Sequence, residues 1–216
     1  MKMTRVLLMT GLIVALGSGT ALAQSFSCDV AGPYPITDDG YDGTLGSMAC
    51  CTITASDWGA GTTITDLNVV VEAVHTWVGD LTIKVQSPAT TVSTLMSRPG
   101  YAEPADDGGG CCGDSSNWNG DAITFDDQDA GGVSAEDMGI TIGSTENVCA
   151  DDGVCGHIPF PDMGPGTNLS DFDTEDLAGA WLVCAGDSGG GDLGELVNAT
   201  LTFGAVPVEL QSFSVE

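Results

Sequence analysis

The sequence predicts an all-β fold, most simply an antiparallel β-sandwich. Three observations point there. Several stretches alternate apolar and polar residues with a period of two. No stretch of useful length in the exported part carries a helical period. The stretches are separated by long loops rich in Gly, Asp and Pro, and the chain holds 31 Gly and 8 Cys in 216 residues.

The elements follow in order. Lys2 and Arg5 precede an apolar run over residues 6–17, and Ala21-Leu22-Ala23 places small residues where a signal peptidase needs them. This reads as a secretory leader over residues 1–23, cleaved after Ala23. The run is too short and interrupted for a membrane span. The 193 residues that remain suit one large β domain. Residues 24–33 form an N-terminal segment, residues 34–205 the sandwich and residues 206–216 a tail.

Leu67, Val69, Val71 and Ala73 share one side of a strand, with Asn68 and Glu72 on the other. Leu81, Ile83 and Val85 alternate with Thr82, Lys84 and Gln86, a half-buried pattern. Val197, Ala199, Leu201 and Phe203 alternate with Asn198, Thr200 and Thr202. Residues 180–185 (AWLVCA) are apolar on both faces and read as a central strand. Shorter strands are expected over residues 51–55, 92–96 and 122–125. Residues 99–121 and 129–179 lack regular signal; loops this long are functional or cross-linked.

Charge excludes whole classes of partner. The leader holds two of the four basic residues and no acid, leaving Lys84 and Arg98 against 31 acidic residues. Nucleic acid needs clustered Lys and Arg, so it is excluded. An anionic membrane surface is excluded on the same ground. The acids are 23 Asp and 8 Glu. Asp favours turns and oxygen-ligand sites over helix interiors.

All eight cysteines lie in the exported part: Cys28, Cys50, Cys51, Cys111, Cys112, Cys149, Cys155 and Cys184. An even number in an exported chain reads as disulfides, with about 105 possible pairings. The short Gly-containing loop between them allows Cys149 and Cys155 to pair. The neighbours Cys50-Cys51 and Cys111-Cys112 are expected to reach separate partners, because bonding neighbours strains the backbone. Paired CxxC motifs and a His cluster are both absent, which argues against zinc.

Acid clusters occur at Asp38-Asp39, Asp106-Asp107, Asp126-Asp127, Asp151-Asp152 and residues 171–176. No EF-hand loop fits. Counting from Asp127, position 12 is Met138; counting from Asp171, it is Leu182. A calcium site must therefore draw on separate loops; the alternative is solvated turn acids.

Gly186-Asp187-Ser188-Gly189-Gly190 looks like the nucleophile loop of chymotrypsin-like serine proteases, and His75 precedes it. The Ala-Ala-His-Cys context of that family's histidine and its Ile-Val-Gly-Gly start are absent. A Gly-rich turn after a strand is the simpler reading, with His75 a structural hydrogen-bonding residue and His157 a loop residue. No pair of carboxylates stands out for glycoside hydrolysis.

Residues 64–88, ITDLNVVVEAVHTWVGDLTIKVQSP, resemble the proprotein convertase P domain, also called the P/Homo B domain. The block His75-Thr76-Trp77-Val78-Gly79-Asp80-Leu81, then Ser87-Pro88, carries the resemblance. Weaker pieces agree in order: Tyr34-Pro35-Ile36-Thr37-Asp38, Ile123-Thr124-Phe125-Asp126-Asp127, Gly179-Ala180-Trp181-Leu182 with Asp187, and Gly191-Asp192-Leu193-Gly194. The resemblance covers roughly residues 34–205. It implies a jelly-roll β-sandwich of the galactose-binding-like kind, accompanying a subtilisin-like serine protease, not itself catalytic and often calcium-bound. By analogy the candidate calcium ligands are Asp80, Asp126, Asp127 and Asp187. The expected function is a calcium-stabilised module for a protein or cell-surface partner, with Trp77 and Trp118 as candidate contact aromatics. Alternatives are an accessory to a separately encoded subtilisin-like protease, or a hydrolase.

Overall fold

The computed structural model describes residues 22–56, 62–110, 112–129 and 131–206. Residues 1–21, where most of the expected leader falls, and residues 57–61, Cys111, residue 130 and residues 207–216 of the tail lie outside them.

The chain is all-β, as expected, in two sheets over one core. The strands are β1 (Leu22–Ser27), β2 (Tyr34–Ile36), β3 (Ala49–Ala55), β4 (Thr63–His75), β5 (Leu81–Gln86), β6 (Val92–Ser97), β7 (Trp118–Phe125), β8 (Val133–Ser134), β9 (Gly156–Ile158), β10 (Gly179–Asp187) and β11 (Gly194–Val206). The larger sheet runs β1-β11-β4-β7-β9-β8, with β2 also paired to β11; the smaller runs β3-β10-β5-β6. The strand read as central, β10, lies between β3 and β5. On β4, Ile64, Leu67, Val69, Val71 and Ala73 are buried in the core, while Val70 and Val74 on the other face are half-buried. Trp181 of β10 reaches across the core to Phe203 of β11 and Phe172, with ring centroids 5.1 and 5.3 Å apart. These edge-on and tilted contacts join the sheets.

Three expectations are corrected. The strand β5 is not half-buried: Thr82 and Lys84 on its second face are buried too. The loop after β6 covers that face, and Asp106 in this loop takes the Lys84 ammonium at 2.6 Å. The phase of β11 shifts at a bulge between Leu196 and Asn198. Leu196 enters the core there and Val197 is left half-buried. Finally, the pairing is not wholly antiparallel. The short strands β8 and β9, inside the segment without regular signal, pair parallel, and β9 pairs parallel with β7.

Disulfides join Cys28 to Cys51, Cys50 to Cys184 and Cys149 to Cys155. Cys112 is also disulfide-bonded. The neighbours Cys50 and Cys51 go to separate partners because adjacent strand residues face opposite ways. No helix among the described residues is long and apolar enough to cross a membrane.

Candidate functional site

The His75–Leu81 stretch makes one of the crossings from the larger sheet to the smaller. Strand β4 ends at His75, a 3-10 turn spans Val78–Asp80, and β5 starts at Leu81. The end of β10 pairs with the start of β5, Asp187 opposite Leu81. The chain therefore brings His75, Asp80, Asp187 and Ser188 to one end of the sandwich. All four are buried.

Close backbone approach shapes this turn. A Cβ on Gly79 would meet the Asp114 nitrogen at 2.1 Å, and one on Gly194 would meet His75 Cδ2 at 2.2 Å. Gly189 lies as close to the Asp80 carboxylate, at 2.1 Å from a built Cβ to Oδ2. Only glycine fits these places without displacement. The backbone N–H of Ser188 donates to the Asp80 carbonyl at 3.0 Å, locking the two loops together.

His75 is fully occupied. Its Nε2 faces Asp187 Oδ2 at 3.2 Å, and Nδ1 rests on the Trp77 backbone, 3.1 Å from its N–H and 2.8 Å from its carbonyl oxygen. Asp187 also accepts from the Gly189 N–H at 2.9 Å through Oδ1. Ser188 Oγ is buried and has no hydrogen-bond partner. A serine nucleophile needs a base on its hydroxyl. Here the imidazole is turned to Asp187 and the Trp77 backbone, so the GDSGG segment forms a Gly-rich turn and no triad is assembled.

Asp80 is the electrostatic anomaly. It is 2% exposed, and its Oδ1 has no partner. Burial, then repulsion from Asp187, pushes its carboxyl up to about 6.

The four candidate ligands do not converge. Asp80 and Asp187 share the His75 end. Asp126 follows β7 beyond Phe125, which pairs with Val69 in the middle of β4, well away from His75. Asp126 Oδ1 accepts from the Gln128 N–H at 2.8 Å, and Asp127 Oδ2 from the Ser170 N–H at 2.9 Å. Among the described residues no three His, Cys, Asp or Glu side chains are grouped to hold a metal ion. Of the candidate contact aromatics, Trp118 is a core residue, 1% exposed, its indole N–H donating to the Asp121 carbonyl at 2.7 Å. Trp77 is half-buried. His157, read as a loop residue, is buried in β9.

The pairing of Ser188 with Asp80, and the glycines that make the approach possible, do not show as such in the sequence. The signal available was the recurrence of Gly beside Asp in GDSGG and GDLG.

No family model matches the chain, and no curated protein matches it. Among solved structures it is similar to a serine protease of Aeromonas sobria, at 15% identity over 85% of this chain and 27% of that one, TM-score 0.46. It is likewise similar to a structure of Aeromonas sobria serine protease and the chaperone complex, at 17% identity over 87% and 28%, TM-score 0.45. The chain spans a little over a quarter of the length of these neighbours.

Proposed function

We propose that the chain is an exported, non-catalytic sandwich module of the proprotein convertase P-domain kind, stabilised by calcium and directed to a protein or cell-surface partner. The observation that carries this reading is the His75–Leu81 crossover. The block that resembles the P domain is one of the segments that connect the two sheets, and its histidine is spent on structure. The disulfides Cys28–Cys51, Cys50–Cys184 and Cys149–Cys155 fit an oxidising, extracellular setting.

The calcium part rests on Asp80. A buried carboxyl oxygen without a partner, beside a second carboxylate and an unpartnered hydroxyl, is an arrangement a cation relieves. Asp80, Asp187 and Ser188 Oγ would supply part of the oxygen shell, and waters or backbone carbonyls the rest. Bound there, the ion would hold the crossover and the β10 end together. Asp126 and Asp127 lie away from the His75 end, so this reading leaves them as turn acids.

A second reading follows from the same block. The P domain accompanies subtilisin-like serine proteases, so the chain would serve such an enzyme, separately encoded, as an accessory in trans. Co-purification with a subtilisin-like enzyme would favour it.

Thermal unfolding with calcium and with a chelator tests the metal, since a ligand bound only to the folded state raises stability by mass action. The expected result is a lower midpoint in chelator. Identical midpoints would retire the calcium site. A serine-directed covalent probe is expected to leave Ser188 unlabelled; labelling there would make the chain a hydrolase.

A further inference from the structure

Lys84 is one of only two cationic side chains beyond the leader, and it is 1% exposed in the middle of a strand. A buried lysine needs a strong partner, because its charge is costly to desolvate. Its Nζ donates to Asp106 Oδ2 at 2.6 Å and to the Gly43 carbonyl at 3.3 Å, and stands 5.1 Å from the centre of the Tyr41 ring. The Tyr41 hydroxyl donates to the other oxygen of the same carboxylate, Asp106 Oδ1. Amine, carboxyl and phenol thus form one closed cluster.

The cluster is clamped from both sides. A Cβ on Gly43 would fall 2.2 Å from the Asp106 carbonyl oxygen, and one on Gly108 would fall 2.0 Å from that of Tyr41. The backbones of residues 41–43 and 106–108 therefore touch. The neighbouring loop is fixed by Arg98, which donates to the carbonyls of Gly109 and Gly110 at 2.8 and 2.7 Å. The close backbone approach holds the carboxylate in place, with the amine nitrogen 2.6 Å from its Oδ2.

We propose that Lys84 Nζ and Asp106 Cγ condense to an amide, an intramolecular isopeptide cross-link between β5 and the Gly-rich loop. The ion pair already holds every atom required. A proton passes from Nζ to Oδ2 along their hydrogen bond, leaving a free amine and a carboxylic acid. The nitrogen lone pair attacks Cγ, and the Tyr41 hydroxyl steadies the negative charge that grows on Oδ1. A second proton from Nζ joins Oδ2, the Cγ–Oδ2 bond breaks and water leaves. Of the three protons on the ammonium, one stays on the amide and two depart with the water. No oxidant or co-reactant is needed. Fixed geometry replaces the activation that amide formation otherwise demands, and burial of the lysine side chain limits the access of water to the bond.

The test is the mass of the purified, folded chain after full reduction and denaturation. The expected mass is lower than the sequence requires by one water, with the full mass regained in Lys84→Met and Asp106→Ala. Peptic digestion of the wild-type chain with fragment sequencing is expected to yield a branched peptide joining the Lys84 and Asp106 segments, which decides the matter even if a variant does not fold. Tyr41→Phe is expected to leave a larger uncondensed fraction. Recovery of only linear peptides at full mass would overturn the proposal and leave a salt bridge.

Discussion

At Glu136 a carboxyl oxygen, Oε2, is buried without a hydrogen-bond partner. Burial, then the charges of Asp162, Asp137 and Glu103, push the group up to about 7. The folded chain therefore holds this proton more tightly than the unfolded chain does. The carboxyl does no harm below its ordinary range near 4.5, and its penalty builds as pH rises to about 7. His157 works the other way. Burial lowers it from 6.5, so its contribution is present above that value and is lost as pH falls below it. Glu136→Gln is expected to leave the midpoint of chemical denaturation unchanged at pH 4 and to raise stability at pH 8 by about 1–3 kcal/mol, discounted for partial exposure. Equal effects at both pH values would contradict this. Neither group was legible as special in the sequence, because burial of a loop acid depends on which loop covers it.

The crossover and the bulge decide behaviour at the level of elements. Gly79→Ala forces the turn off the Gly113-Asp114 backbone, at distances of 2.1 and 2.2 Å from a built Cβ. The expected loss is about 1–3 kcal/mol or more, measured by urea denaturation. The bulge in β11 makes a paired prediction. Leu196→Ala should cost about 2–5 kcal/mol, as a fully buried leucine does, and Val197→Ala clearly less. A reversed order would place the bulge elsewhere. The strands themselves were legible, because period-two alternation follows from the pleat: β4, β10 and most of β11 fall where the pattern puts them. The bulge was not, since one inserted residue leaves composition untouched and only changes which face follows. The second face of β5 was misread because Lys84 signals solvent in sequence; here it is buried under a loop contact some twenty residues away in sequence. The short parallel strands β8 and β9 carry too few residues for any period to register.

For the whole molecule, the disulfides act as long-range staples. Cys50–Cys184 closes a sequence separation of 134 residues between two paired strands. Its removal by a double substitution to Ala is expected to lower stability by about 2–5 kcal/mol, checked by thermal unfolding under oxidising conditions. The candidate site was half legible: Asp80 and Asp187 were named from the block and the strand end, and they do meet. Asp126 and Asp127 were named by the same analogy and lie beside the middle of β4, away from His75, since sequence order alone does not say which strand ends share a side. The reading that unites these scales is a rigid module whose two sheets are held at the His75 end by a cation on Asp80 and Asp187. Calorimetric titration of calcium into the chain and into Asp80→Asn tests that most directly. Saturable binding to the former, and its loss in a folded variant, are expected. Absence of binding to the wild-type chain, or equal binding to both, would contradict that reading.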